Sequence, residues 1–355
     1  MYDFSHYGVP SKEWLELSNR LPAPPPNLSF DQSRDYANKE REKSSAELME
    51  IWASKVQTSD HTIPTRDNSS LQSRSYRPTD CDDTQKLPVI LYFHGGGFFS
   101  GTVATEDAVC SRIAVNTRTV VLNVCYRHTP EFVYPTPWND AEDAFEWLHN
   151  HINDLGGDSQ RVIVGGMSSG AYLTASLVLG KHLGRTSVTF PSIAGQILMV
   201  PPLINVDCYE PMIKKFQDPA VCSLNQNKDE PMLSMSNLQL YTGLLKIQNP
   251  DEHDLKLNPG YVSTSQATGL PPTVCAVAGL DVLRDEGLLF ASTLVKAGVP
   301  TDVHVFPGLP HSFAMFPALP ETERWNKAMD EGISWILSKP TASGVLDLKT
   351  KPESR

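Results

Sequence analysis

Short apolar runs alternate with longer amphipathic segments over most of the chain. Six of the runs are rich in Val, Ile, Leu and Ala and nearly continuous in apolar residues, which is typical of parallel strands buried on both faces. Between two of them, residues 138–152 carry large apolar side chains at steps of three and four, which predicts an amphipathic helix. This alternation predicts an α/β fold with a mostly parallel central sheet flanked by helices. The predicted strands are residues 88–93, 119–126, 161–165, 193–200, 272–278 and 301–306.

Three segments depart from the alternation. Residues 1–70 contain many charges and a proline-rich stretch, and residues 202–262 are polar and interrupted by prolines. We expect one core domain formed by residues 71–201 and 263–340, with residues 202–262 as an insertion. The polar residues 341–355 are predicted to be a disordered tail.

A Gly-Met-Ser-Ser-Gly motif at residues 166–170 follows one predicted strand and opens an apolar, helix-like run. A G-x-S-x-G motif between a strand and a helix is the setting of a nucleophile elbow, in which a sharp turn lifts the serine hydroxyl above the sheet. The five-residue pattern alone is weak because glycine and serine are common. The strand before it and the helix after it make Ser168 a candidate nucleophile.

A His-Gly-Gly-Gly-Phe motif at residues 94–98 ends another predicted strand, upstream of the serine. Acyl transfer places negative charge on a carbonyl oxygen, which must be met by preorganised N–H groups. Consecutive glycines allow the backbone to approach a ligand with no Cβ in the way. A flexible glycine turn is the simpler interpretation, but the elbow downstream favours an oxyanion hole.

A base and an orienting acid are expected in the chain order serine, acid, histidine. Asp281 and His311 each follow a predicted strand, at the sheet edge where parallel folds place their functional loops. Among the histidines, only His311 follows the last strand in a loop rich in glycine and proline. Asp285 and Glu286 are rival acids, but they lie one helical turn further on, where we expect them to cap or solvate a helix.

Taken together, these motifs resemble the hormone-sensitive-lipase-like family of α/β-hydrolases. The resemblance covers about residues 86–340, and five linked motifs in order are far more specific than any one of them. The segments that carry it are residues 94–98, 126–131, 166–170, 281–285 and 311–313.

The resemblance implies an α/β-hydrolase fold with a mainly helical cap formed by residues 1–70 and 202–262. It implies that Ser168 is the nucleophile, His311 the base and Asp281 the orienting acid. It also implies an oxyanion hole formed by the N–H groups of Gly96, Gly97 and Ser169. Apolar residues near the site are candidates for substrate binding, although each could simply pack the cap onto the core. They are Phe98, Met167, Met232, Leu240 and Tyr241, with Trp14, Leu15, Leu233 and Leu238 as further cap candidates.

Three departures from the family pattern leave the substrate open. Met167 and Ser169 flank the serine where the family usually has Asp and Ala, and Ser312 replaces a glycine after the histidine. Cys125 stands where an aspartate is common. These changes alter packing and charge next to the site and remove no catalytic group.

Composition and charge limit the classes of molecule that the chain is expected to bind. The 30 basic and 41 acidic residues give a net charge of −11, with no basic cluster, which argues against nucleic acid. We find no signal peptide and no apolar run long enough for a membrane span. The six scattered cysteines predict reduced thiols and a cytoplasmic protein. No metal-ligand spacing is visible, so we expect neither metal nor cofactor.

We expect a serine hydrolase that cleaves carboxylic esters of small or medium acyl groups, with a small-molecule ester or an acylated metabolite as partner. A non-hydrolytic enzyme of secondary metabolism stays open, acting by acyl transfer, elimination, condensation or cyclisation. A small-molecule receptor is disfavoured because receptor relatives typically lose a member of the triad. The oligomeric state also stays open, a homodimer included.

Overall fold

The computed structural model describes residues 1–21, 25–82 and 84–351. Part of the proline-rich stretch of residues 21–27, and the last four residues of the predicted tail, therefore lie outside the described residues. In the described part of the chain, nine strands form one sheet in the order β1-β2-β4-β3-β5-β6-β7-β8-β9. The strands are β1 Val56–Pro64, β2 Ser70–Pro78, β3 Leu87–Phe93, β4 Val120–Cys125, β5 Gly157–Met167, β6 Gly195–Met199, β7 Thr273–Ala278, β8 Thr301–Phe306 and β9 Leu348–Lys349.

The sheet is mostly parallel, as predicted. Only β1 and β2 run antiparallel to their neighbours among the described strands, whereas β3 to β9 pair in parallel. Every residue of β3, β6 and β7 is buried, which explains why these strands are continuous apolar runs in the sequence. The predicted α/β-hydrolase fold is confirmed.

Helices cover both faces of the sheet, and further helices lie in the insertion at residues 202–262. The helix predicted at residues 138–152 is α4, and the apolar helix predicted after Ser168 is α5. No helix in the described residues is both long enough and apolar enough to cross a membrane. The helices are α1 Lys12–Ser18, α2 Phe30–Met49, α3 Asp107–Thr117, α4 Thr136–His151, α5 Ser169–His182, α6 Glu210–Ile213, α7 Ser223–Gln226, α8 Met235–Leu244, α9 Thr264–Ala267, α10 Arg284–Lys296 and α11 Glu321–Leu337.

The N-terminal segment and the insertion at residues 202–262 contact each other. The Tyr2 N–H donates to the Lys215 carbonyl (3.1 Å), and Gln226 Nε2 donates to the Ser5 carbonyl (2.9 Å). The insertion contributes the helices α6, α7 and α8. The two segments are therefore in contact, and their joint role as a cap stays a prediction.

Two boundaries differ from the sequence-based prediction. Strand β1 lies within residues 1–70, so this segment supplies an edge of the sheet as well as helices. The strand was missed because most of its residues are polar and exposed, as an edge strand allows. The tail is also ordered through residue 351: β9 pairs with β8, and Lys349 Nζ lies 3.0 Å from Asp302 Oδ1.

Candidate active site

Ser168 lies in a sharp turn between a strand and a helix. β5 ends at the preceding residue and α5 begins at the following one. The serine has a φ of 53° and a ψ of −123°, a backbone conformation that a residue with a Cβ rarely adopts. Its N–H donates to the Met199 carbonyl (2.8 Å), and its carbonyl accepts from the Tyr172 N–H (3.0 Å). These bonds hold the strained turn in place.

The two glycines of the motif allow α5 to pack closely against the end of β3. A Cβ on Gly170 would lie 2.0 Å from the Phe93 carbonyl oxygen, and a Cβ on Gly166 would lie 2.5 Å from the Gly170 carbonyl carbon. Both distances are far inside van der Waals contact. Glycine is therefore required at both positions for steric reasons.

The structure brings Ser168, His311 and Asp281 together in one hydrogen-bonded chain. His311 Nε2 is 2.9 Å from Ser168 Oγ, and His311 Nδ1 is 2.6 Å from Asp281 Oδ2. An aspartate carboxylate only accepts, so Nδ1 carries the proton and Nε2 is free to accept from the serine hydroxyl. All three side chains are buried, which shields the chain of bonds from bulk water.

Asp281 is oriented by its own loop and by the insertion. Its second carboxylate oxygen, Oδ1, accepts from the Leu283 N–H (3.0 Å). Asn227 Nδ2 donates to the Asp281 carbonyl (2.9 Å) and lies 3.3 Å from the Gly279 carbonyl. Asp281 is thus held both by its own loop and by the insertion, and its other carboxylate oxygen, Oδ2, is directed at the His311 imidazole.

The predicted oxyanion residues surround the serine. Gly96 and Gly97 have φ values of 136° and 64°, which favour glycine, and their N–H groups donate to no acceptor within the described residues. Ser169 is the first residue of α5, so its N–H has no partner inside the helix. All three residues line the same cavity as Ser168. Their free N–H groups are available to a negatively charged oxygen.

The cavity above the serine has a volume of about 200 Å³. Of the residues predicted to bind substrate, Phe98, Met167, Met232 and Tyr241 line it. The prediction for Leu240 is wrong: this side chain is 51% exposed and lies outside the cavity lining. Successive residues of a helix point about 100° apart, so α8 directs Tyr241 inward and Leu240 outward.

Of the four further cap candidates, two line the cavity and two do not. Leu233 and Leu238 line the cavity, whereas Trp14 packs against Phe316 and Leu15 is exposed. The N-terminal helix α1 therefore does not contribute these two side chains to the site. Lining residues that sequence reasoning missed include Arg41, Tyr172, Leu283 and Met315. Arg41 lies on α2, which carries no motif, whereas Leu283 lies within the 281–285 motif.

Arg41 is the charged group closest to the glycine motif among the lining residues. It extends from α2, donates from Nη1 to the Gly95 carbonyl (3.1 Å) and pairs with Glu106 (2.5 Å). No sequence pattern singles it out on a helix as polar as α2. Its position shows that the N-terminal segment supports the backbone of the glycine loop.

The rival acids, expected to cap or solvate a helix, lie at the start of a helix but are not solvated. Both lie in the first turn of α10 and are buried. Asp285 pairs with Arg284 and accepts from the Ser223 N–H (2.7 Å). Glu286 accepts from the Leu203 N–H (2.8 Å), and burial raises its pKa to about 8. The two acids fasten the insertion to the core.

A further buried carboxylate, Glu230, lies close to the catalytic chain. Its Oε2 accepts from the N–H groups of Met232 and Leu233 (2.8 and 3.1 Å), whereas Oε1 is buried without a partner among the residues that the structure describes. Burial raises the pKa of Glu230 to about 7, and the nearby Asp281 charge adds to this increase. Glu230 thereby holds the turn that presents Met232 and Leu233 to the cavity.

One group of potential metal ligands occurs in the described residues, and sequence reasoning did not find it. His94, Cys125 and His128 place one ligand atom each within 4.8 Å of the others. His94 lies 31 residues before Cys125 and meets Cys125 and His128 because β3 and β4 are neighbours in the sheet. All six cysteines of the chain are free thiols.

Comparison with known proteins places the chain in a family. The family model described as "alpha/beta hydrolase fold" matches residues 90–315. Esterase LipI of Mycobacterium tuberculosis is 33% identical over 237 residues, which is 65% of this chain and 67% of that protein. Ethyl acetate hydrolase of Pseudomonas putida is 28% identical over 78% of this chain and 81% of its own length.

The structure of vibralactone cyclase is also similar, with a TM-score of 0.82 and 25% sequence identity. The match covers 94% of this chain and 96% of that one. By its sequence match, its fold and the motifs around Ser168, the chain belongs to the hormone-sensitive-lipase-like family of α/β-hydrolases.

Proposed function

We propose that this carboxylic ester hydrolase acts through Ser168, His311 and Asp281 and forms an acyl-enzyme. The observation that carries the proposal is the continuous chain of hydrogen bonds from Ser168 Oγ through His311 to Asp281, with distances of 2.9 and 2.6 Å. Free N–H groups on the other side of the serine support it. A nucleophile, its base and an oxyanion site are the parts that acyl transfer needs.

In the first half-reaction, Ser168 Oγ attacks the ester carbonyl carbon and its proton passes to His311 Nε2. Negative charge develops on the carbonyl oxygen, which accepts hydrogen bonds from the N–H groups of Gly96, Gly97 and Ser169. Asp281 keeps the proton on Nδ1 and stabilises the imidazolium. The bond from the carbonyl carbon to the alkoxy oxygen then breaks, and the leaving alcohol takes the proton from Nε2.

In the second half-reaction, water attacks the acyl-enzyme. His311 Nε2 removes one proton from the water, and the new bond to carbon forms as the bond to Ser168 Oγ breaks. The proton returns to Ser168 Oγ and the carboxylic acid leaves. The same residues therefore serve both steps.

The cavity favours small or medium acyl groups. Its volume of about 200 Å³ lies below the range of about 300–1,000 Å³ that is common for ligand pockets. Its lining combines the backbone donors with apolar side chains such as Phe98, Met232 and Tyr241. The relative named ethyl acetate hydrolase supports a short acyl group, which an acylated metabolite would also offer.

Hydrolysis of p-nitrophenyl esters from acetate to octanoate tests this proposal. We expect turnover with a preference for the shorter chains, and a loss of about 10⁴-fold or more in kcat for Ser168→Ala. Ser236→Ala, at an exposed serine of α8, is the matched control and should leave turnover unchanged. Full activity of a folded Ser168→Ala variant would overturn the assignment.

Cyclisation is a second candidate, favoured by the similarity to vibralactone cyclase over 94% of the chain. In that case a nucleophile within the substrate replaces water, and no water oxygen enters the product. Reaction in ¹⁸O-labelled water separates the two functions. An acid product carrying one ¹⁸O supports hydrolysis, whereas an unlabelled cyclic product supports the second candidate.

We extend the proposal to a reducing compartment such as the cytoplasm. All six cysteines are free thiols, and five of them are buried. Disulfides form readily in oxidising compartments but seldom in the cytosol. Cell fractionation with an antibody to the native chain tests this, and recovery in a secreted fraction would contradict it.

A further inference from the structure

Three side chains with metal-binding atoms meet at the carboxyl edge of the sheet. His94 directly follows β3, Cys125 ends β4, and His128 lies three residues further along the chain. Because β3 and β4 are parallel neighbours, their ends meet at the same edge. No pair among the three ligand atoms is separated by more than 4.8 Å.

Each imidazole in this cluster has a nitrogen without a partner. His94 is fully buried, and its Nδ1 lies 2.9 Å from the Gly95 carbonyl. A carbonyl only accepts, so Nδ1 carries the proton and Nε2 has a free lone pair. Both His94 Nε2 and His128 Nε2 are buried without a hydrogen-bond partner in the described residues. Buried polar atoms are nearly always paired, so two unpaired nitrogens at one place point to a missing ligand.

The donor atoms of the cluster suit a metal. They are two imidazole nitrogens and one cysteine sulfur, and each residue offers one of them. Cys125 supplies a soft sulfur ligand at the position where the family commonly has a carboxylate.

We propose that His94, Cys125 and His128 form a binding site for one Zn²⁺ ion, with the fourth coordination position open to solvent. Two imidazoles and one thiolate are ligands that Zn²⁺ prefers. Bonds of about 2.1 Å to nitrogen and 2.3 Å to sulfur place tetrahedral ligand atoms roughly 3.3–3.7 Å apart. Ligand atoms that now lie up to 4.8 Å apart must therefore approach one another by up to about 1.5 Å. Cys125 and His128 are each partly exposed, which gives an ion a route from solvent.

A metal ion at this site would stabilise the glycine loop at residues 95–97 without contacting the substrate. His94 immediately precedes the three glycines, and Tyr126 stacks on its ring with centroids 4.5 Å apart. The Tyr126 hydroxyl lies 2.9 Å from both the His94 carbonyl and Ser169 Oγ. A bound ion would tie the end of β3 to the end of β4 next to this network, and ester hydrolysis itself requires no metal.

Titration of the chelator-treated full chain with Zn²⁺ alone and with Co²⁺ alone tests the site. We expect one equivalent of Zn²⁺ to bind in competition with a chromophoric chelator, and Co²⁺ to produce a thiolate-to-metal charge-transfer absorption. Zn²⁺ should also raise Tm, because it binds only the folded chain at this site.

Two ligand variants and one control make the result specific. Cys125→Ser should abolish the Co²⁺ absorption and weaken Zn²⁺ binding by about 100-fold or more, and His128→Gln should weaken it by at least about tenfold. Cys81→Ser, a buried thiol near Arg118 at the other end of β4, should behave as the wild type. Absence of the Co²⁺ absorption from the wild type would overturn the proposal. So would a folded Cys125→Ser variant that binds Zn²⁺ as tightly as the wild type.

Discussion

At the residue scale, the site depends on side chains that could be found from motifs and on others that could not. Ser168, Asp281 and His311 each follow a strand of the sheet, so their positions in the sequence indicate where they lie in space. Arg41 and Met315 reach the cavity from segments whose sequences carry no motif. His94 meets Cys125 and His128 only through the pairing of β3 with β4, which a single sequence does not specify.

The strain at Ser168 is stored in a turn that its neighbours hold closed. A backbone in this region costs of order 1–3 kcal/mol for a residue with a Cβ. The close approach of α5 to β3 at Gly170 keeps the turn from relaxing, because the helix has no room to move. The backbone conformation of Ser168 therefore depends on the absence of a side chain at Gly170 as much as on the serine itself.

Gly170→Ala should destabilise the protein by about 3 kcal/mol or more, because its Cβ would lie 2.0 Å from a backbone oxygen of β3. The control is Gly243→Ala in α8, where a Cβ has open space and should be neutral or stabilise by up to about 1 kcal/mol. Urea midpoints of the two variants measure both effects. Equal midpoints would contradict the tight packing of the elbow.

At the element scale, burial decides which strands the sequence predicts. β3, β6 and β7 are buried throughout and appear as continuous apolar runs. β2 was missed because serines occupy inward positions such as Ser73 and Ser75, so its alternation is not apolar. β9 has two residues and no pattern of its own. Edge and short strands owe their structure to their partners, not to their own composition.

Helix α8 sets one wall of the cavity. The helix is apolar enough that its sequence does not indicate which face is directed inward. In the structure the Tyr241 ring lies against Gly97, where an added Cβ would be 2.9 Å from the ring carbons. The adjacent Leu240 is exposed, so these neighbouring residues form a natural pair for comparison.

Tyr241→Ala should enlarge the cavity and shift the chain-length profile towards longer acyl groups. We expect the ratio of kcat/KM for octanoate to that for acetate to rise by about tenfold, a change of about 1–2 kcal/mol in relative transition-state binding. Leu240→Ala should leave the ratio unchanged. An equal change of this kcat/KM ratio in Tyr241→Ala and Leu240→Ala would exclude Tyr241 as a wall of the acyl site.

At the scale of the whole molecule, buried carboxylates join the cap insertion to the core. Glu286 of α10 accepts from the Leu203 N–H across this junction, whereas Glu230 belongs to the insertion and accepts from the Met232 N–H within it. Burial raises the pKa of both carboxyl groups, to about 7 and about 8 respectively. The sequence predicted one core and one insertion, but it could not indicate that their junction contains buried acids, because isolated acidic residues normally face solvent.

Glu230 should make global stability depend on pH. Its pKa in the folded protein is raised to about 7 from a usual value of 4.5, so the folded state retains a proton that the unfolded chain releases. The favourable contribution is complete below about pH 4.5 and is lost as the pH rises through about 7. Glu230→Gln, which removes this titration, should therefore be more stable relative to the wild type at pH 8 than at pH 5, by about 1–3 kcal/mol.

Thermal unfolding of both proteins at the two pH values measures this difference. Glu47→Gln, at an exposed position of α2, should show no change in its stability relative to the wild type between the same pH values. A Glu230→Gln variant whose relative stability is the same at both pH values would show that the buried carboxyl group does not titrate in this range.

The most direct test of the account is covalent labelling of the nucleophile. An organophosphonate ester phosphonylates a serine that its base activates, and the adduct is stable enough for peptide mapping by mass spectrometry. We predict one adduct per chain, located on Ser168, with loss of ester hydrolysis in proportion to labelling and no adduct on Ser168→Ala. An adduct on another residue that inactivates the enzyme, or full labelling of the Ser168→Ala variant, would contradict the account.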